Sequence, residues 1–185
     1  MAVVPYSTEL LAKYPGWVQD SIREQCPWIV EEWDGDCENA CLRRTRAFAE
    51  IFSGVGNQEY EVRIQTNVCT TVFDYVHGVV HSNIFTEAGW NNLISIIGSL
   101  IPGGVVTWAP KCAPWSWLSL GTTKRTNTNP EGDTRLEIVR SGNKMIDRVC
   151  WGMMFAHDIN VYQQLEHPRG SFIKKYPPFN EACDY

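Results

Sequence analysis

The feature that most constrains the fold is an alternation of short apolar or β-branched runs with segments of helical spacing. Strands are predicted at 50–52, 70–74, 79–80, 104–109 and 160–165. Helices are predicted at 8–13, 17–25, 38–49, 89–100 and 141–156. Strands separated by helices indicate a parallel sheet covered on both faces. The predicted fold is therefore a three-layer α/β sandwich with a mostly parallel sheet.

The length of the chain fits one globular domain with an added arm. Its 185 residues are enough for one hydrophobic core and too few for two. Residues 1–45 are acidic and aromatic, with a turn predicted at Asp34-Gly35-Asp36. We expect them to form a helical arm that packs on the main domain, residues 46–185.

Charge and hydropathy limit the partners of the chain. A net charge of −5 gives no overall attraction to nucleic acid or anionic lipid, so such binding must be local. The longest apolar run, 93–108, is broken by serine, glycine and proline, so no membrane span is predicted. Seven irregularly spaced cysteines favour free thiols, and we expect no secretory signal near the N-terminus. The expected location is therefore the cytoplasm or the nucleus.

A glycine-containing turn, Phe52-Ser53-Gly54-Val55-Gly56, follows the first strand of the predicted main domain. Glycines at a strand-to-helix turn let backbone amides approach a ligand closely. Asp74, at the end of the next strand, would lie beside them and could hold a ribose hydroxyl. A turn formed for steric reasons alone explains the same residues equally well.

Cys112 follows the apolar run 104–109 in a loop between Pro110 and Pro114. Prolines hold such a loop in place, while Lys111 and a following helix terminus would favour the thiolate. A thiolate is the form of cysteine that attacks an electrophile. The alternative is a small buried side chain, which is what most free cysteines are.

Glu166 follows the last predicted strand and precedes His167 and Pro168. A rigid proline and the glycine turn beyond it could place this carboxyl at the same sheet edge as Cys112. A surface glutamate with a capping or ion-pairing role is the alternative.

In order along the chain, these motifs resemble those of the cytosine-5 DNA methyltransferases. The likeness covers about residues 50–172 and consists of Phe-Ser-Gly-Val-Gly, Pro-Lys-Cys and Glu-His-Pro. Residues 119–148 also resemble a less characterised methyltransferase-like group through Thr-Thr-Lys-Arg, Asn-Pro-Glu-Gly-Asp and Gly-Asn. The resemblance implies a Rossmann-like methyltransferase sheet, with Cys112 as the nucleophile that adds to a base and Glu166 as the residue that grips the base edge. The resemblance also implies S-adenosylmethionine as the cofactor. The predicted cofactor-binding residues are Phe52, Ser53, Gly54, Gly56, Asp74 and Pro110.

Clustered tryptophans and a local excess of basic residues could form a substrate surface. Between Lys111 and Arg148 the chain has seven basic and four acidic residues, the one plausible phosphate-facing region, although a solvated surface of mixed charge explains it as well. Tryptophan rings could stack on a base or on adenine, but for Trp108, which lies in a strand, filling of the core is favoured. The predicted substrate-binding residues are Trp115, Trp117, Lys124, Arg125 and Arg169.

The chain departs from the family in ways that leave two functions open. Pro-Lys-Cys and Glu-His stand where the family has Pro-Pro-Cys and Glu-Asn, and 19 residues follow Glu166. We therefore expect a C-terminally shortened sheet whose open edge is covered by the arm, by the tail or by a partner protein, with Pro177-Pro178-Phe179 as an extended cover strand or docking strip. The first function is methyl transfer, by resemblance to a cytosine base, with DNA, RNA, a free nucleotide or a small molecule as the acceptor. The second is that of a catalytically inactive, methyltransferase-like binding or structural subunit of a larger assembly.

No metal site is predicted. Cys26, Cys37 and Cys41 lack the two-residue spacing and the matching second pair of a zinc site. His77 and His81 are four residues apart, but the residues between them are typical of a strand or turn rather than a helix.

Overall fold

The computed structural model describes residues 11–26, 44–77 and 81–185. Within these ranges the fold is a four-stranded parallel sheet with helices, so the predicted α/β class is confirmed. The strand order is β2-β1-β3-β4, with β1 at Arg46–Ile51, β2 at Thr70–Phe73, β3 at Leu100–Trp108 and β4 at Tyr162–Leu165. The helices are α1 at Gly16–Gln25, α2 at Asn57–Thr66, α3 at Glu87–Gly98, α4 at Leu120–Thr123, α5 at Glu137–Asp158 and α6 at Pro177–Asp184. Single 3₁₀ turns occur at Tyr75–His77, Ala113–Trp115, Trp117–Ser119 and Phe172–Lys175.

The register aligns the carboxyl ends of all four strands. Ile51 pairs with both Phe73 and Trp108, and Trp108 pairs with Leu165. Each of these residues is the last of its strand, so the four following loops leave the sheet at one edge.

One face of the sheet packs against α3 and α5. The fully buried Trp108 ring reaches α5 at Gly152, where a β-carbon would lie only 2.6 Å from Trp108 Cη2. Gln163 on β4 accepts a hydrogen bond from Trp108 Nε1 (3.2 Å) and donates one to the Met153 carbonyl (2.8 Å). Together these contacts fix the position of the longest helix on the sheet.

The opposite face is covered by α2, which lies over β1 and β2. Glu50 on β1 points towards this helix, since its Oε2 accepts a hydrogen bond from the Glu59 amide at 2.8 Å. None of the residues of α2 is buried. On the same face as Glu50, the β4 side chain of Tyr162 is 65% exposed.

The described part of the N-terminal arm belongs to the core. Leu11, Tyr14, Val18 and Ile22 are each at most 3% exposed and join the main hydrophobic cluster. The Tyr14 hydroxyl also donates to the Asp158 carboxylate at the end of α5. Residues 11–26 therefore pack on the main domain.

Two expectations about individual elements are wrong. The helix predicted at 38–49 is wrong for residues 46–49, which form the start of β1. The apolar residues here fit a buried strand as well as a helix, and pairing with β2 and β3 selects the strand. Pro177-Pro178-Phe179 is not extended. Pro177 begins α6, a position where proline is tolerated, and Phe179 is buried where α6 packs on α5.

The outer edge of β4 has no partner strand among the described residues. The arm and the tail were two of the expected covers, and neither residues 11–26 nor the tail forms a strand there. The remaining predicted features lie outside the described residues in whole or in part: the start of the helix at 8–13, the turn at 34–36, residues 38–43 and the strand at 79–80. No helix in the described ranges has the length and apolar character needed to cross a membrane.

Candidate functional site

The loops at the carboxyl edge of the sheet carry the predicted motifs. The glycine turn follows β1, Asp74 follows β2, Cys112 lies beyond β3 and Glu166 follows β4. In parallel α/β sheets, ligands bind at this edge. Its geometry decides which of the predicted residues can act together.

Cys112 and Glu166 lie in the same cleft. The cleft has a volume of about 500 Å³ and is formed by residues 109–113 after β3 and 166–168 after β4. The Glu166 amide donates to the Trp108 carbonyl at 2.8 Å, which fixes the second loop to the end of β3. The thiol of Cys112 and the side chain of Glu166 are both exposed, and Pro110 is buried in the cleft wall. A thiol and a carboxyl can therefore meet one ligand.

The turn after β1 is held in an unusual backbone conformation. Phe52 has φ of 65°, in the left-handed region that a bulky side chain rarely adopts, and Gly54 and Gly56 have φ of 56° and 74°. For a non-glycine residue such as Phe52, this backbone conformation costs about 1–3 kcal/mol and persists when surrounding contacts impose it. Here the Phe52 amide donates to the Phe73 carbonyl at 2.6 Å, and the Gly54 amide donates to Asp74 Oδ2 at 2.9 Å. The largely buried Ser53 lies between them.

Phe52 and Asp74 line a second cavity of about 240 Å³ at the same edge. Tyr75, Phe85 and Met145 contribute to its lining. The Asp74 carboxylate accepts one hydrogen bond at each oxygen, from Gly54 and from the Val76 amide (3.0 Å). A carboxylate has about four acceptor positions, so the described residues leave two for ligand hydroxyls. Aromatic and apolar walls with free carboxylate acceptors fit the adenine and the ribose of an adenosine group.

Glu50 is a residue of this region that sequence analysis missed. It is 5% exposed, and its carboxylate accepts the Glu59 amide at the N-terminus of α2, where the N-cap residue Gly56 offers no side chain. Burial raises the pKa of Glu50, while the helix amides lower it. Glu50 therefore fixes the start of α2 from inside the fold. The available signal was an acidic residue within an apolar strand, just before the glycine turn.

His167 is the second residue that sequence analysis left without a role. It lines the Cys112 cleft beside Glu166. Both of its ring nitrogens are closed to solvent and have no hydrogen-bond partner among the described residues. Burial lowers its pKa to about 4, with a smaller effect from Lys174, so the imidazole is neutral near pH 7.

Trp115 and Arg125 are core residues, which corrects their expected role in substrate binding. Both are fully buried. The Arg125 guanidinium lies 3.6 Å from the Trp115 ring and donates to the Pro114 carbonyl and to Asn143 Oδ1, each at 2.7 Å. Burial lowers the pKa of Arg125 to about 10. Both side chains are enclosed and contact only internal groups, so neither can reach a ligand in this structure.

The other predicted substrate residues lie at the surface. Trp117 is 62% exposed and rests on Gly170, where a β-carbon would lie 2.8 Å from Trp117 Cδ1. This contact places the indole beside the loop that carries Glu166 and the exposed Arg169. Lys124 is also exposed. The structure thus brings Trp117 and Arg169 close to the cleft, and it buries Trp108 as favoured above.

Within the described ranges, no group of three or more histidine, cysteine, aspartate or glutamate side chains is placed to hold a metal ion. Cys26 is buried and donates to the Ile94 carbonyl at 3.5 Å, and Cys37 and Cys41 lie outside those ranges. The fold and the site define a parallel α/β domain with a thiol and a carboxyl at the carboxyl edge of its sheet. No protein family, curated protein or solved structure matches the chain.

Proposed function

We propose that the protein is an S-adenosylmethionine-dependent methyltransferase that acts on a cytosine base of a nucleic acid or nucleotide. The observation that carries the proposal is the shared cleft of Cys112 and Glu166. The cavity lined by Phe52 and Asp74 at the same sheet edge supports it, since its chemistry suits an adenosine group.

Phe52 and Asp74 would bind the cofactor. The Phe52 ring would pack against adenine, and the two free acceptor positions of Asp74 would take the ribose hydroxyls. When bound, S-adenosylmethionine supplies an electrophilic methyl group. Glu50 would keep the glycine turn and the start of α2 in place around it.

Cys112 and Glu166 would activate the base. The Cys112 thiolate forms a bond to an electron-poor ring carbon, and Glu166 stabilises the developing charge by a hydrogen bond or proton at the ring nitrogen. The neighbouring ring carbon would gain electron density and take the methyl group of S-adenosylmethionine, whose sulfur–methyl bond breaks to leave S-adenosylhomocysteine. That carbon would then lose its proton to water in the open cleft, the ring double bond would re-form, and the sulfur–carbon bond would break to restore the Cys112 thiolate. Trp117, beside the cleft, offers a face on which the base can stack.

Isothermal titration with S-adenosylmethionine tests the binding step, and methyl transfer from labelled cofactor to a cytosine-containing oligonucleotide tests the reaction. We expect micromolar-class binding by the wild type, full retention of binding with loss of transfer in Cys112→Ser, and about tenfold weaker binding in Asp74→Asn. The exposed Glu61→Gln serves as the matched control, because Glu61 lies on α2 outside both cavities. A wild type that binds no cofactor would refute the proposal.

A second candidate function, that of a binding subunit, is favoured by the outer edge of β4. No strand among the described residues pairs with it, and Tyr162 on this strand is 65% exposed. Unpaired strand edges are sites at which another chain can add. Light scattering after size exclusion of the native protein would show a stable complex if this candidate is correct. A monomer that binds cofactor would instead support the enzyme.

A further inference from the structure

A third cavity lies on the helical side of the molecule, outside the loops that follow the strands. It has a volume of about 570 Å³ and is formed by α5, by α6 with its flanking residues, and by Lys13. Its volume is within the range of about 300–1,000 Å³ that small-molecule sites occupy.

The α5 wall of this cavity is a single helical stripe. Asp147, Cys150, Trp151 and Met154 stand at positions i, i+3, i+4 and i+7, which share one face of the helix. Three of the four are apolar or aromatic side chains. The wall therefore offers an apolar surface that includes the planar Trp151 ring, with one carboxylate at its end.

The charges around the cavity are unbalanced. Asp147 is half-buried and accepts a hydrogen bond from the Tyr176 hydroxyl at 2.8 Å, but it forms no ion pair within the described part of the chain. Burial raises the pKa of Asp147, and the nearby Glu131 adds to this. Glu181 brings a second carboxylate to the cavity. Lys13 is the one lysine among the described residues of the lining, and it lies over the Tyr185 ring at 4.9 Å from its centroid.

A carboxylate in apolar surroundings is stabilised by a cation that reaches it. A ligand that meets both the carboxylate and the apolar wall must carry a positive charge at one end and a flat apolar body at the other. We propose that this cavity binds a small organic cation with an aromatic body, its ammonium group on Asp147 and its ring against Trp151. The inference is independent of the methyltransferase proposal, because no described residue lines both this cavity and either cavity of the methyltransferase site.

Two probes of matched shape and opposite charge test the site. Tryptamine carries an ammonium group on an indole, and indole-3-propionate carries a carboxylate on the same ring. In isothermal titration of the full chain at pH 7, we expect binding of tryptamine and none of indole-3-propionate. Asp147→Asn should weaken tryptamine binding by at least about tenfold, whereas Glu61→Gln on α2 should leave it unchanged.

Two further variants keep the test decisive if Asp147→Asn does not fold. Met154→Trp fills the cavity with a larger side chain and should abolish binding, and Glu181→Gln, at an exposed position, should weaken it. Equal binding of both probes, unchanged binding in Met154→Trp and Glu181→Gln, or no tryptamine binding to the wild type would each overturn the inference. Cys112→Ser should bind tryptamine normally, which separates this result from the outcome at the methyltransferase site.

Discussion

Arg125 and Cys112 are both polar residues of the segment predicted to meet a substrate, and burial separates their roles. The Arg125 guanidinium is enclosed and bonded to backbone carbonyls and Asn143, whereas the Cys112 thiol is open to a cleft. A charged group that is buried without partners costs several kcal/mol, so Arg125 must keep its internal bonds. At the residue scale, accessibility decides which predicted residues can meet a ligand.

Replacement of Arg125 should therefore reduce the stability of the fold, because its enclosed side chain contacts internal groups. Arg125→Ala leaves buried acceptors unpaired and opens a cavity beside Trp115, and we expect a loss of about 3 kcal/mol or more in the free energy of unfolding. Arg125→Lys should also destabilise, since an ammonium group cannot reproduce the planar fork of donors. Urea denaturation measures both. Lys111→Ala, at an exposed position, is the control and should change stability by less than about 0.5 kcal/mol; an equally small effect of Arg125→Ala would contradict the structural role.

His167 should make stability depend on pH in the acidic range. Its folded pKa of about 4 lies below the ordinary value of 6.5, so between these values the unfolded chain binds more protons. The stabilisation is complete above pH 6.5 and is lost as pH falls towards 4. In His167→Gln, the decrease in unfolding free energy from pH 7 to pH 4.5 should be smaller than in the wild type by about 1–2 kcal/mol, allowing for partial solvent exposure. Denaturation curves at these two pH values measure the difference, and parallel losses in both proteins would exclude the effect.

At the scale of elements, strand register and helix packing position the site. β3 and β4 end at the same level because Trp108 pairs with Leu165, and this brings the Cys112 loop and the Glu166 loop to one cleft. Helix α5 is held on the sheet by the close contact of Gly152 with Trp108. The cleft therefore depends on how tightly α5 and β3 pack.

Gly152→Ala tests this packing. A β-carbon at this position would lie 2.6 Å from Trp108 Cη2, and crowding in a packed core costs about 1–3 kcal/mol. Alanine also favours the helix by up to about 1 kcal/mol, so we expect a net destabilisation of about 1–2 kcal/mol in urea denaturation. Gly121→Ala in α4 has no atom within 4 Å of the new β-carbon and should be neutral or slightly stabilising. Similar stability of the two variants would show that α5 can move away from Trp108 without cost.

At the scale of the whole molecule, the two faces of the sheet are covered unequally. The face of Trp108 is packed by α3 and α5, with the described part of the arm against α3. The face of Glu50 is covered mainly by α2 within the described ranges, and no residue of α2 is buried. Polar contacts therefore hold the start of α2 on the sheet beside the glycine turn, and the hydrogen bond from the Glu59 amide to the Glu50 carboxylate is one of them.

Hydrogen exchange should report this asymmetry. Amides of α2 should exchange through local opening at a much lower free energy than amides of α3, in which seven residues are buried. Exchange measured by mass spectrometry on peptides from 57–66 and 87–98 compares the two helices directly. S-adenosylmethionine should slow exchange in residues 52–60 if it binds at the glycine turn. Equal protection of the two helices in the free protein would contradict the unequal packing.

Much of the architecture followed from local sequence, because periodicity and strand-ending residues are encoded within a few positions. The strands near 70–74, 104–109 and 160–165 and the helices α1, α3 and α5 were predicted to within a few residues. Parallel strands, once predicted, place their following loops at one edge, so the meeting of Cys112 with Glu166 could be anticipated. The start of β1 could not be anticipated, because its apolar residues fit both the helical and the strand period, and only pairing with β2 and β3 selects the strand.

The sequence by itself determined the α/β class, the order of the motifs and their position at the strand ends. Only the tertiary structure decided that Arg125 and Trp115 lie inside, that Glu50 holds the start of α2 and that α5 and α6 enclose a separate cavity. The physical reason is that burial and pairing arise between residues distant in the chain. A residue's type alone does not state whether its polar atoms will face solvent or the interior.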